Sequence, residues 1–267
     1  MTDYYLGHSQ LELRRLVAQA EVLRPITERL LQSAGIQRGM RVLDLGCGAG
    51  DVTMLAAELV GPSGEVVGVD RAPVAIDLAA KRAERAGFRN ITFRLGTETE
   101  PTDREFYDFV IGRYVLIHQP DPVSFIRAAL GRLRPGGVFA LHEIDLRKTG
   151  ETLPVAPRVD GFIAEIMAAM RAGIHQPNAG GRLAELFIAA GAPWPAILCE
   201  RPAAAGPTAP IYRWVALTVA AVRALTNPGA ETPDPDWLEA EIGAELAQTR
   251  SQFVAPDQCC AWCSVTS

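Results

Sequence analysis

Apolar positions recur along the chain in two rhythms, and the alternation between them predicts the fold. From residue 10 to 31 they fall at Leu13, Leu16, Val17, Ala20, Leu23 and Leu30, the spacing of a helix, and Pro25 predicts a break into two helices. Gly35 ends the second. Residues 40–45 form a short apolar run that predicts a buried strand, followed by a glycine-rich loop and a helix over 51–59. The rhythm then repeats with strands at 65–70, 91–95, 107–112 and 138–144 and helices at 73–86 and 122–133. Strands interleaved with helices predict a parallel sheet covered on both faces, a doubly wound α/β unit through residue 146.

Beyond residue 146 the rhythm changes. Helical stretches at 156–172 and 182–190 precede a strand at 196–200. An Ala/Pro-rich turn at 202–210 leads to helices at 212–225 and 236–250 and a last strand over 259–265. Helices inserted between sheet strands predict a lid, because insertions over a rigid scaffold carry specificity. The expected organisation is an N-terminal helical flap over 1–35, a core over 36–146, and lid elements with the final strands over 147–267.

The loop after the first strand changes the picture from fold to chemistry. In Val42-Leu43-Asp44-Leu45-Gly46-Cys47-Gly48-Ala49-Gly50-Asp51, glycines at every second position say that the backbone passes close to a ligand. In an open parallel sheet the ligand lies beyond the carboxyl ends of the strands, where this loop sits. Asp70 ends the next strand, twenty residues after Gly50, where a carboxylate can accept both hydroxyls of an adenosine ribose. To this point NAD and S-adenosylmethionine (SAM) fit equally. The carboxylates separate them, because Asp44 at the strand end repels a pyrophosphate and attracts a methionine ammonium group. The spacing GxGxG also departs from the dinucleotide GxGxxG. Asp51 has the alternative reading of a helix N-cap.

These segments carry a resemblance. VLDLGCGAG followed by VVGVD is similar to the first two motifs of the class I SAM-dependent methyltransferases. YDFVIGRYVLIHQPDP and LRPGGVFALHE resemble the fourth- and fifth-strand segments of their small-molecule branch, which includes the ubiquinone/menaquinone type. The resemblance covers about residues 36–146. It implies a Rossmann-like seven-stranded sheet whose last strand runs antiparallel. It also implies that Asp44, Gly46 and Gly48 hold the methionine portion of SAM, that Asp70 holds the ribose, and that Arg71 packs near the adenine. Where many relatives carry a Gly-Asp pair contacting the adenine amine, this chain has Gly96-Thr97-Glu98, so Thr97 and Glu98 take that position. Arg113 follows the fourth strand, beside the cofactor.

Four histidines rank by position as candidates for proton transfer. His142 and Glu143 end the fifth strand beside the expected methyl position, and strand alternation turns one of them inward. His118 lies in the turn after the fourth strand, with Tyr114 one helical turn before it. A local hydrogen bond fixing the loop is the competing role for His118. On the acceptor side, Tyr114 and His175 are joined by Tyr5, which with Tyr4 and His8 would fold over the cofactor as a flap. Phe162, Trp194, Tyr212 and Trp214 fall in the variable part, where rings fill interiors and favour an apolar or aromatic acceptor.

Composition narrows the partners. The chain has 267 residues, 48% of them hydrophobic, and a net charge of −5, so no basic surface is offered to nucleic acid or an anionic membrane. Its longest apolar run, 214–222, falls short of the roughly 20 residues of a membrane span, and the amino terminus lacks a secretory pattern, which predicts a cytoplasmic protein. Five cysteines, an odd count, predict reduced thiols; the CxxC at Cys260 and Cys263 sits in an apolar strand that favours packing over metal. The expected partner is a small-molecule substrate, with neither nucleic acid nor membrane, and the assembly admits a homodimer. Two rivals stand against a SAM-dependent methyltransferase: an NAD-dependent oxidoreductase, and a non-catalytic or cyclase-like SAM-binding protein.

Overall fold

The structure is a computed structural model that describes residues 10–96 and 106–265. Its elements run α1 (Gln10–Ser33), β1 (Arg41–Leu45), α2 (Asp51–Val60), β2 (Glu65–Asp70), α3 (Pro73–Arg85), β3 (Ile91–Leu95), β4 (Tyr107–Arg113), α4 (Pro122–Leu130) and β5 (Leu133–Asp145). There follow β6 (Glu151–Leu153), α5 (Pro157–Gly173), α6 (Leu183–Ala189), β7 (Ala196–Glu200), β8 (Ala203–Ala205), α7 (Pro210–Thr226), α8 (Pro235–Thr249), β9 (Gln252–Val254) and β10 (Asp257–Ser264).

Seven strands form the main sheet in the order β3-β2-β1-β4-β5-β10-β7. The pairs among β1 to β5 are parallel, whereas β10 runs antiparallel to both β5 and β7. The last strand is therefore the reversed one, as the resemblance implies. Strands buried on both faces need apolar residues at consecutive positions. In β4, Val110 packs into the cluster that includes α4 and α6, while its neighbours Phe109 and Ile111 pack into the cluster under α1 and α2. Strand β5 begins five residues before the predicted 138, because Leu133 already pairs with Tyr107 across an irregularity in the β4–β5 ladder.

Three elements differ from the sequence expectation. Helix α1 runs through Pro25 without a break. An internal proline costs a helix about 3 kcal/mol, and here Leu23, Ile26, Leu30 and Leu31 keep one continuous buried face across it, which holds the two halves in line. Asp51 is not the N-cap of α2: Gly50 holds that position in a left-handed conformation, and Asp51 accepts from Arg82 Nη2 at 2.7 Å. Third, β6, β9 and β8 make a small antiparallel sheet that joins the chain after β5, after β7 and before β10. Each has only three residues, too few to show a period of two.

Candidate functional site

The glycine loop sits between β1 and α2 at the carboxyl edge of the sheet, and its shape is set by contacts. Cys47 donates its backbone N–H to Val69 O at 3.0 Å, which draws the loop over the end of β2. Gly46 and Gly48 have φ of +66° and +52°, a region that favours glycine. A Cβ at Gly46 would lie 2.6 Å from Val115 Cγ1, whereas a Cβ at Gly48 would meet nothing within 4 Å and stand in open space. Gly48 thus presents bare backbone to the cleft.

Asp70 is fixed by the same loop. Its Oδ2 accepts from Gly48 N and its Oδ1 from Ala72 N, both at 2.9 Å. Each oxygen keeps a second lone pair, so the carboxylate is oriented yet able to accept two hydroxyls. Gly46, Gly48, Asp70, Arg71, Gly96 and Arg113 all line one cleft of about 870 Å³. Arg113 donates from Nη1 to Thr27 Oγ1 at 3.3 Å and makes no salt bridge with a carboxylate among the described residues.

Asp44 is placed beneath the loop, 1% exposed, and does not reach the cleft wall. Its Oδ2 accepts from Thr53 Oγ1 at 2.6 Å. Burial pushes its carboxyl up to about 7, opposed by Thr53 and Arg113 and reinforced by Asp70 and Asp51. Its influence on the cleft is through its field and through the loop it carries.

The turn after β4 closes the other side of the cleft. Tyr114 has φ +55°, and Val115 and Leu116 donate their N–H groups to Glu143 Oε1 at 2.9 and 2.8 Å. Val115 is wedged against both Gly46 and Gly112, so the acceptor turn and the cofactor loop share one contact. The next residues complete the turn, and Asp121 caps α4 by accepting from Ser124 N at 3.0 Å with Pro122 at the first helical position. Tyr114 and His118 line the cleft. Burial, with Arg71, Arg15 and His175 adding to it, lowers His118 to about 3. It is a neutral imidazole at physiological pH.

His142 and Glu143 do face opposite sides of β5, but neither reaches the cleft wall. The His142 ring is fully buried against α1, its Nδ1 3.0 Å from Thr27 Oγ1 and its Nε2 3.3 Å from Gln258 Oε1. Tyr114 donates its hydroxyl to the same Gln258 Oε1 at 2.5 Å. Because Gln258 Nε2 donates to Pro256 O, its Oε1 faces the ring, and His142 Nε2 carries the proton. Burial and Arg113 lower His142 to about 3, and burial pushes Glu143 up to about 8. Both residues are structural anchors of the turn, which corrects their reading as groups that transfer a proton in the cleft.

His175 is exposed and outside the cleft wall, in a segment whose Gln176 N–H bonds Ile117 O at 3.0 Å. Thr97, Glu98, Tyr4, Tyr5 and His8 lie outside the described residues. Of the four aromatics, Phe162 and Tyr212 are buried, Trp194 is 77% exposed, and Trp214 lines the cleft.

Beyond the turn the cleft opens into an apolar chamber. Ile163, Met167 and Met170 of α5, Trp214 and Val215 of α7, and Phe253 of β9 form its wall. Helix α1 adds Arg15 and Gln19, which sequence reasoning missed. Arg15 binds Glu12 through two N–H groups at 2.7 Å and Gln19 at 2.8 Å. Their positions, three and four apart, put all three on one helical face amid leucines. That spacing was the available signal.

The four shifted groups predict a pH dependence of stability. A histidine held neutral in the fold contributes stability that grows as pH rises from about 3 and is complete above the ordinary 6.5. A carboxyl held protonated contributes stability that is full below the ordinary carboxylate range and lost as pH rises through about 7 for Asp44 and about 8 for Glu143. Between about pH 6.5 and 8 the histidine contributions are complete and the carboxyl contributions are still being lost, so the thermal midpoint falls over that range, and Glu143→Gln flattens the fall. A midpoint that holds or rises over that range, followed by circular dichroism, contradicts the assignment.

Comparison with known proteins agrees with this architecture. The methyltransferase-domain family matches residues 36–186. Aklanonic acid methyltransferase DauC of Streptomyces sp. (strain C5) is 38% identical over 121 residues, covering 45% of this chain and 55% of that enzyme. Nocamycin O-methyltransferase of Saccharothrix syringae is 30% identical over 197 residues, covering 64% and 65%. The chain thus spans less than two thirds of the length of these curated relatives. The crystal structure of the YcgJ protein from Bacillus subtilis shares the fold with a TM-score of 0.58 at 17% identity, over 92% of this chain and 99% of that one. With more than half of its residues matched and the sheet order and reversed strand in place, the chain belongs to the class I methyltransferase-domain family.

Proposed function

We propose that the protein transfers a methyl group from SAM to a small, largely apolar organic acceptor. The observation that carries this reading is the continuity of one cleft, from the bare backbone of Gly48 and the carboxylate of Asp70 to the chamber walled by Met167, Met170 and Trp214. Relatives named for aklanonic acid and nocamycin support a small-molecule acceptor. The acidic balance speaks against a nucleic-acid partner, and no described helix is long and apolar enough to cross a membrane. A cytoplasmic location belongs to the same proposal.

The donor set fits the cofactor. Gly48 leaves open the space that a side chain would fill, Asp70 offers two oxygens to a ribose diol, and Arg113, which lines the cleft and makes no salt bridge among the described residues, offers a cation to the amino-acid carboxylate. When bound, SAM supplies an electrophilic methyl on a positively charged sulfur. Asp44, with its carboxyl raised to about 7, is partly ionised near neutrality, and its ionised form sets a negative field behind the loop suited to the ammonium group. Tyr114 and His118 shape the wall between the two halves of the cleft, and neutral His118 can accept a hydrogen bond from an acceptor hydroxyl. The apolar chamber excludes water and aligns the acceptor, effects worth up to about 7–11 kcal/mol in well-oriented systems.

Calorimetry tests the reading. S-adenosylhomocysteine binds and NAD gives no heat; tight NAD binding without S-adenosylhomocysteine would establish the oxidoreductase instead. Arg113→Met weakens S-adenosylhomocysteine by about tenfold or more, the loss of a charge-assisted hydrogen bond. Methylthioadenosine, which lacks the amino-acid tail, binds that variant as it binds the wild type. An equal loss for both ligands removes Arg113 from the carboxylate site.

A further inference from the structure

Two thiols outside the cleft stand in unusual proximity. Cys199 on β7 and Cys259 on β10 are register partners across an antiparallel ladder, and their Sγ atoms are 3.2 Å apart. Strand β7 is the last strand of the main sheet, and Cys199 is exposed there, whereas Cys259 is buried. The remaining thiols are placed elsewhere. Cys260 packs on the opposite face of β10, Cys263 lies beyond the β7–β10 pairing, and Cys47 is in the glycine loop.

The neighbour of Cys259 ties this pair to the cleft. Gln258 precedes it on β10 and accepts the Tyr114 hydroxyl while lying against His142. Directly opposed residues of antiparallel strands hold their Cβ atoms about 4.5–5.5 Å apart, and a disulfide takes about 3.5–4.5 Å. Closing the bond therefore draws β10 and β7 together, typically by about an ångström, and the strain it stores keeps it reducible.

We propose that Cys199 and Cys259 form a reversible disulfide whose closure moves Gln258 and, through it, Tyr114 in the cleft wall. The oxidant is a low-molecular-weight disulfide. Exposed Cys199, as thiolate, attacks one sulfur of that disulfide and displaces the other half as a thiol after protonation. Burial and the neighbouring Cys199 hold the Cys259 thiol up, so it reacts second. It gives its proton to solvent, its sulfur attacks Cys199 Sγ, and the second half of the oxidant leaves as a thiol. Two protein thiols are oxidised and one external disulfide is reduced to two thiols.

The test oxidises the full chain with glutathione disulfide, maps the cysteines by mass spectrometry without reduction, and measures S-adenosylhomocysteine affinity before and after. The expected result is a Cys199–Cys259 cross-linked peptide pair lighter by two hydrogens, a several-fold weaker affinity, and recovery of both with dithiothreitol. Cys199→Ser abolishes the cross-link and leaves the affinity unchanged by oxidant. Glutathione retained on Cys199 without a cross-link, a bond to Cys260 or Cys263, or a cross-linked protein that binds as before each overturns the proposal. The cross-link is read by mass, so its outcome is separate from whether the reduced protein binds S-adenosylhomocysteine, on which the proposed function depends.

Discussion

Asp70→Ala raises the dissociation constant for S-adenosylhomocysteine by about two orders of magnitude. The variant removes up to two charge-assisted hydrogen bonds to the ribose, each worth roughly 1.5–3 kcal/mol, and about 1.4 kcal/mol is tenfold in affinity. It also strips the acceptor from Gly48 N and Ala72 N, so the loop that faces the cofactor loses its tether to β2. Asp70→Asn separates the two effects. Its remaining oxygen holds one backbone N–H, and the loop stays closer to its place while one hydroxyl partner is lost. An alanine variant with wild-type affinity in calorimetry contradicts the ribose assignment.

Glu143→Leu destabilises the protein by roughly 2–5 kcal/mol. The N–H groups of Val115 and Leu116 both end on Glu143 Oε1, and a buried donor left without a partner costs about 1–3 kcal/mol. The leucine recovers part of this, because Glu143 Oε2 is itself buried without a hydrogen bond among the described residues. Glu143→Gln keeps the accepting oxygen and costs less. Urea denaturation gives the stability and calorimetry the cofactor affinity; a leucine variant unchanged in both shows that the turn is held by other contacts. Because Val115 is wedged against Gly46, loosening the turn also weakens S-adenosylhomocysteine binding.

The parallel core was legible because its strands are short apolar runs closed by glycine, proline or acid. The strands at 91–95 and 196–200 match their predicted limits. Pattern failed where distant parts of the chain decide. Pro25 looks like a break until α1 lies across the sheet and needs one unbroken buried face. His142 and Glu143 look catalytic from their place on β5, and only the packing of α1 over one side and the turn over the other shows that both are enclosed. The loop glycines and Asp70 were readable because their backbone geometry is local, whereas the chamber draws on α1, α5, α7 and β9, which no window of sequence contains.

The three-stranded sheet of β6, β9 and β8 gives the molecule a stapled roof. It binds together the two excursions that leave the core, one between β5 and β7 and one between β7 and β10, and its middle strand places Phe253 in the chamber wall. Peeling back either excursion means breaking a ladder shared with the other, so the covering rises as a single piece. Enlarging the guest space by substitution is therefore cheaper at Met167 or Met170, whose flexible side chains hang from one helix, than by redesigning the strands above them.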